Sequence, residues 1–449
     1  MSCCKAKEYG DWCSDLLPVY TDRDGNQYCA FHAPREHKYM SFEIFNKYVF
    51  ERIQKAKDNN KLCNLIGTIF PGDINLGNFI PLPEINFSNA LFAGKVDFSS
   101  SIFKGNADFS SVIFEKEVNF RGTRLELATF LKAMFKNDLD FMLATFKKEI
   151  NFTGTIFEGE TMFWICSFEA LGVFVGSEFK KNAHFHAVTF EKGAEFMNVQ
   201  SNNLVFANVN LKQVVFRGSN LINMSFINCD WQRKFGRNML YDEVKLFQND
   251  IEDKEMEEKF AKIKALHNKI QKYHPIKYIE SYFLEDIPER KYVEALYRQL
   301  KRKYKTEHNE PEVSNWHYGE KEMFRKSRRY RRYVSLSWLY WLSSGYSERP
   351  FRAGVFLLVL ILIIALLLGV SGLSHPDTAT AAFIIKGPLS TYHNFWTLIL
   401  ATLQFASFVK EPLFRATTSI GQWLELTAHI LIPLQTALFL LAVRNKFRR

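Results

Sequence analysis

Cysteine is scarce, with seven in 449 residues, far below the density at which disulfides hold a small secreted fold together. Met1 to Gly10 contains no apolar stretch, so no secretory signal peptide is expected. The chain contains no phosphate loop, nucleophile elbow or catalytic zinc motif; the expectation is a protein that is not an enzyme. Apolar residues are not lacking. They make up 47% of the chain, which excludes a disordered polymer, and the length predicts two to four domains.

The 58 Lys and Arg exceed the 48 Asp and Glu by ten, and where that excess sits decides what it serves. Six basic residues and no acid lie in Arg325 to Arg332. After twenty intervening residues comes Ala353 to Leu373, 21 residues without charge and long enough to cross a bilayer core of ~30 Å. A second span is expected over about 423–443, carrying Glu425, His429, Pro433 and Gln435. Arg444, Lys446, Arg448 and Arg449 follow it, whereas Ser374 to Ser390 offers only Lys386. The positive-inside rule then places both termini in the cytoplasm, with Trp338, Tyr340 and Trp341 at the inner interface. The basic run faces anionic headgroups in this arrangement, and no nucleic-acid partner is expected.

Between the spans, Thr391 to Thr402 forms an apolar helix too short to cross, followed by Leu403-Gln404-Phe405-Ala406-Ser407-Phe408 and a Pro/Gly region. A short helix that returns to its own side of the bilayer survives at depth only when surrounded by protein or a water-filled cavity. Span, re-entrant helix at about 391–402, extended segment and span resemble the two-transmembrane channel-like domain of the bacterial potassium-channel superfamily. The resemblance implies a homotetramer closing a cyclic ring, with Thr402, Leu403, Gln404, Phe405, Ala406 and Ser407 at the pore and filter, Gln404 at the narrow point. Filters of that family read T-x-G-Y-G, and neither glycine stands here. Without them successive carbonyls do not readily face one axis, so the expectation is a weakly selective or non-potassium path. Glu425 and His429, four apart, share a helix face. They are either a pore-facing, pH-sensitive pair or a structural contact to the short helix.

Phenylalanine is abundant, at 43 residues, and it is spaced. From Phe87 it recurs at 92, 98, 103, 109, 114 and 120, gives way to Leu125, and resumes from Phe130 to Phe196 in steps of five and six. Steps of five then run through Phe206, Leu211, Phe216, Leu221, Phe226 and Trp231. Small or β-branched residues stand two positions before nearly every rung. A helix smears such a ladder round its surface, and a strand flips every odd step to the other face. Stacked coils ~4.8 Å apart accommodate it. The pattern resembles the pentapeptide-repeat family over about Ile85 to Trp231, implying a right-handed quadrilateral β-helix. With 15 acidic and 14 basic residues over that stretch, it lacks the acidity of the family's DNA mimics. A rigid spacer or protein-docking surface is the expectation, with an unidentified cytosolic partner or ligand.

Cys4, Cys13, Cys29 and His32 follow the spacing C-x8-C-x15-C-x2-H, with Cys3 an alternative to Cys4. Three thiolates and an imidazole make a closed, structural zinc set; unrelated thiols are the other reading. Cys63, Cys166 and Cys229 read as structural, the last two at small-residue positions of the ladder.

The chain thus divides into a small Cys/His module (1–60), a solenoid (61–236), a helical linker or collar (237–350) and a membrane domain (351–449). Helices are expected over Glu243 to Tyr273, over Tyr292 to Lys305, and from Tyr318 onward. The linker strings resemble the connector of bacterial pentapeptide-repeat membrane proteins with a two-span channel-like domain. That resemblance implies an inner-membrane, channel-like protein controlled by its cytosolic solenoid. The alternative is a non-conducting anchor that presents the solenoid to a protein partner.

Overall fold

The computed structural model describes residues 3–38, 40–77, 81–234, 236–248, 288–327, 335–371, 373–374, 382–383, 392–407, 414–416 and 418–447. The chain forms two compact units, one of residues 1–271 with 295–303 and one of residues 272–294 with 304–449.

The first unit is built on a parallel β-solenoid of about seven turns over residues 63–227. Its strands are mostly two residues long and pair with the equivalent residues of the next coil. Ile69 pairs with Leu91 and Leu91 with Ile113, 22 residues apart each time. Four steps alternating between five and six make 22, so the ladder's rhythm is the perimeter of one coil. Where the steps fall to five, the perimeter falls too, and Ala194 pairs with Val214 and Leu204 with Met224, 20 residues on.

The rungs sort into four columns. One stacks Phe70, Phe92, Phe114, Phe135, Phe157 and Phe179 with ring centroids 4.0–5.6 Å apart. A second runs from Phe87 to Phe216, and a third from Phe98 to Phe226. The fourth passes through Phe103, Leu125 and Phe146 to Phe190. Neighbouring columns meet edge to face, as Phe109 and Phe120 do at 90°, the arrangement that ring quadrupoles favour. Each buried ring contributes roughly 1.5–3 kcal/mol of transfer free energy. Small residues before the rungs leave room for them, and their polar atoms are bonded: Thr123 and Thr155 donate to the carbonyls of Phe98 and Phe130, and Cys166 and Cys229 to those of Phe141 and Phe206.

The irregularity at Leu125 is a register shift. Leu125 pairs with Phe103 but Leu127 with Asn106, so the strand Ile102–Asp108 holds one residue more than its neighbour there. The solenoid also begins earlier than the phenylalanine pattern signals. Leu65, Phe70, Leu76 and Leu82 are buried rungs of the first coil, mostly leucine and therefore inconspicuous.

Turning the corners needs left-handed backbone. Asn89, Ser111, Lys132, Gly154, Gly176, Asn198 and Gly218 occupy one corner with φ between 54° and 77°. Another holds Ser100, Gly122, Leu143, Ile165, Ala187, Asn208 and Asn228. Gly, Asn and Ser suit such positions; Leu143 and Ile165 do not.

Both ends of the solenoid are covered, as exposed strand edges require. At the start, Ile69 N donates to Phe31 O at 2.9 Å, and Phe45, from helix α2 (Phe42–Asp58), lies edge-on to Phe70. Helix α1 is the single turn Ala6–Tyr9. At the far end Trp231 meets Phe226, and residues 241–248 are helical; the rest of the helix expected to Tyr273 lies outside the described residues. Helix α3 (Pro288–Thr306) supplies Gln299, whose Oε1 accepts from Leu221 N at 2.6 Å. It also supplies Tyr297, buried with Arg237 and Glu243.

In the second unit α4 (Glu310–Lys326) begins eight residues before the start expected at Tyr318. Asn309 accepts from Glu312 N and Pro311 opens the first turn, an N-terminal signal that outweighs Gly319 within the helix. Helix α5 (Leu336–Ser344) ends at Gly345, whose φ is 56°. Helices α6 (Pro350–Ser371) and α8 (Ser419–Phe447) are each long and apolar enough to cross a membrane. Between them lies α7 (Tyr392–Ala406). Of the basic residues assigned to the inner face, 328–332 and 448–449 lie outside the described residues, as does Phe408.

Candidate metal centre and membrane bundle

In the first unit, Cys3, Cys13, Cys29 and His32 are buried and their ligand atoms all lie within 4.8 Å of one another. His32 Nδ1 faces Cys29, Cys13 and Cys3 Sγ at 3.3, 3.4 and 3.5 Å. Its Nε2 lies 2.9 Å from the carbonyl oxygen of Ile66, in the first coil. A carbonyl at one ring nitrogen leaves the other free to bind a metal, and it also fixes the ring. Trp12 and Tyr9 enclose the imidazole at centroid distances of 5.2 and 5.4 Å.

The set contains Cys3, correcting the choice of Cys4. Cys4 N donates to Gln27 O at 2.7 Å, and this pairing leaves its side chain half-buried outside the cluster, beside Tyr28. Cys3 turns inward and accepts from Cys29 N at 3.4 Å. The spacing becomes C-x9-C-x15-C-x2-H. Two adjacent cysteines cannot be separated by spacing alone; the strand pair Pro18–Thr21 and Gln27–Cys29 decides between them.

The thiols are electrostatically unequal. The hydrogen bond with Cys29, with a further one to His32, holds Cys3 down at about 3 against the opposing effect of burial. Burial pushes Cys13 up to about 12, and Cys29 is raised, first by its bond to Cys3. The closed, buried N/S donor set fits a tetrahedral metal ion and leaves no position for catalysis. Arg52 donates to Trp12 O and Asn64 O and stacks on Trp12 at 4.4 Å, tying the cluster's surround to the solenoid. Sequence reasoning missed this contribution, because Arg52 stands on α2, away from any cysteine motif.

In the second unit, α6, α7 and α8 share one core. Ile364, Ala365 and Leu368 meet Leu398, Ala401 and Phe405, with Ala428 and Ile432 opposite. The helix expected to end at Thr402 continues to Ala406, so the anticipated extended segment from Leu403 is helical. Leu-Gln-Phe-Ala contains neither Gly nor Pro to break the hydrogen-bond ladder, and Thr402 Oγ1 bonds back to Leu398 O at 2.8 Å. Thr402 and Phe405 are buried, Gln404 and Ala406 half-buried, Leu403 and Ser407 exposed. Both amide atoms of Gln404 are covered, with no hydrogen-bond partner among the described residues.

Glu425 and His429 lie one turn apart on α8, each half-buried, flanking the buried Ala428. Gln435, noted only as a polar residue in a span, has a definite task. Its Nε2 donates at 3.0 Å to both Ser343 O and Ala353 O, fastening α8 to the ends of α5 and α6. Below it Arg325 and Arg352 approach the Trp341 ring at 4.6 and 4.2 Å, and Arg325 is paired with Glu322.

No curated protein matches the chain. Residues 82–124 match the family model described as pentapeptide repeats, in nine copies. Buried rungs at the same spacing continue on both sides of that window, from Leu65 to Trp231, so the matched repeats are the central part of the parallel β-solenoid.

Proposed function

We propose that the chain is an inner-membrane, channel-like protein of bacterial type, assembled as a homotetramer, with a weakly selective or non-potassium path and a cytosolic solenoid that controls it. One observation carries this reading. A fifteen-residue apolar helix, too short to cross, is packed between two helices that are long enough, and it presents a buried amide, Gln404, without a partner among the described residues. A membrane anchor needs no such helix. An unsatisfied buried amide costs about 1–3 kcal/mol, a cost removed when copies assembled round an axis give Gln404 water or a neighbouring amide.

The test is single-channel recording in planar bilayers with Gln404→Glu and Gln404→Ala. Current steps whose size or ion preference follows residue 404 support the pore. Silence from folded protein under varied voltage and pH overturns it.

The scaffold reading draws on a different observation. Since α7 stays helical through Ala406, residues 403–406 form no extended run of carbonyls turned to a path, and Gln404 O accepts from Ser407 N at 3.0 Å. A simple anchor replacing residues 353–449 preserves function only under that reading. For the metal centre we propose structural zinc held by Cys3, Cys13, Cys29 and His32, which would supply rigidity and no chemistry.

A further inference from the structure

We propose that a groove on the solenoid, walled by α2, docks a cationic polypeptide segment in which Lys or Arg alternates with apolar residues. The groove encloses about 650 Å³, within the range of pockets that hold a specific ligand. It lies wholly in the first unit and does not depend on whether the membrane helices conduct.

One wall is α2, which presents Phe50 and Asn46. The floor is the parallel sheet in which Val96, Val118 and Leu139 stack one above another. Along it stand five carboxylates, Asp73, Asp97, Glu117, Asp138 and Asp140, against one cation, Lys95. Lys95 is already paired with Glu117 at 3.5 Å. The acids are held in place: Asp97 and Asp140 each accept the amide two residues on, at 2.9 and 2.7 Å. Asp73 and Asp138 accept the amides of Lys95 and Glu160 in the next coil.

Asn46 ties the α2 wall to the sheet. Its Nδ2 donates to Asp73 O at 2.8 Å, which fixes the orientation of the amide. Its Oδ1 is covered and finds no donor among the described residues. The carboxylates call for a ligand rich in donors. Lys and Arg side chains carry donors and no acceptor, and their charge complements the wall. The apolar part of the lining, with Phe50 at its edge, accounts for the alternating apolar residues and argues against a purely polar cation.

The sequence itself supplies variants that spare the fold. Asn75 and Asn119 stand in the same column as Asp97 and Asp140 and accept the same i+2 amide through Oδ1. Asp97→Asn with Asp140→Asn therefore removes charge and keeps the turns. The full chain in phosphatidylcholine nanodiscs is titrated with a fluorescent eight-residue peptide of alternating Lys and Val, with empty nanodiscs as blank and a Glu/Val peptide as control. The expected result is saturable binding of the Lys/Val peptide alone, weakened at least tenfold in the double Asn variant and severalfold in Phe50→Ala. Equal binding of the two peptides, or a double variant that binds like the parent, overturns the proposal. Spermidine displacing the peptide at lower concentration than unlabelled peptide does so too, and reassigns the groove to small polycations.

Discussion

Both carboxylate oxygens of Asp242 accept from the backbone amide of Phe216, at 3.2 and 3.1 Å. A side chain thus takes the place that a carbonyl of the next coil fills elsewhere, as Val215 O does for Phe196 N. Burial raises the Asp242 carboxyl to about 6, with the amides of Phe216 and Arg217 opposing the rise.

The sign of the pH effect follows. Unfolded aspartate titrates near about 3.9, so between roughly pH 4 and pH 6 the folded end-cap holds a proton that the unfolded chain has released. Stability of this end therefore rises as pH falls through 6, is complete below the unfolded value, and is lowest above 6, where the charge is buried. Asp242→Asn should remove the slope and stabilise the cap at pH 7.5 by on the order of 2 kcal/mol. Hydrogen-exchange protection of residues 206–226, corrected for intrinsic rates at pH 5 and 7.5, reads the difference between parent and variant.

Cys3 and Cys4 give opposite outcomes. Cys3→Ser should lower metal affinity by more than tenfold, because one of four donors is lost, whereas Cys4→Ser should leave metal content unchanged. Inductively coupled plasma mass spectrometry of the purified variants, with competition by a coloured chelator, separates them. Metal loading should release protons, since the raised Cys13 and Cys29 thiols must ionise, and affinity should fall as pH is lowered.

Ile165 stands at φ 55° with its side chain 58% exposed. A β-branched residue in left-handed backbone costs about 1–2 kcal/mol. Ile165→Asn matches Asn208 and Asn228 at the same corner and should stabilise the solenoid by about 1 kcal/mol. Urea denaturation followed by solenoid fluorescence tests this, and a loss of stability would mean that the corner's strain is compensated by contacts of the isoleucine.

Phe152 stacks on Phe130 and Phe174 at 5.0 and 4.9 Å. Phe152→Ala should cost about 3–5 kcal/mol through the cavity it leaves. Phe152→Leu should cost far less, since Leu125 and Leu211 already fill rungs. The same denaturation curves distinguish the two.

Gln435→Leu removes two hydrogen bonds that join three helices and leaves Ser343 O and Ala353 O without that donor. A loss of about 1–2 kcal/mol is expected, read as a lower midpoint for thermal unfolding in detergent. Gln435→Glu, which has no donor when ionised, should be at least as harmful.

The sequence revealed the solenoid because its signal is a count: 22-residue coils repeat a five-and-six step that neither helix nor strand tolerates. The phenylalanine count alone does not reach the first coil, where leucines replace most of the rings, although the expected bounds of 61–236 include it. Hydropathy located both membrane-length helices to within four residues at each end, since length and apolarity are one-dimensional properties. The end of α7 was misplaced because a filter needs glycine to break a helix, and Leu403 to Ala406 contains none. Three members of the buried Cys/His cluster were legible from spacing, and the fourth required knowing which of two adjacent cysteines the backbone turns inward. The tasks of Arg52, Asp242 and Gln435 lie in contacts between segments far apart in the chain, where no local pattern exists.

The coil perimeter has a consequence for how such a molecule changes length. Every strand pairs with its counterpart one full circuit away, so the rod grows or shrinks by whole circuits of about 4.8 Å, each bringing one ring to all four columns. Excising residues 130–151, one circuit of 22, would rejoin Thr129 to Phe152 in register and leave a shorter ruler of the same cross-section. Removing five residues instead would rotate every later face by a quarter turn, and carry any surface that spans several coils away from itself.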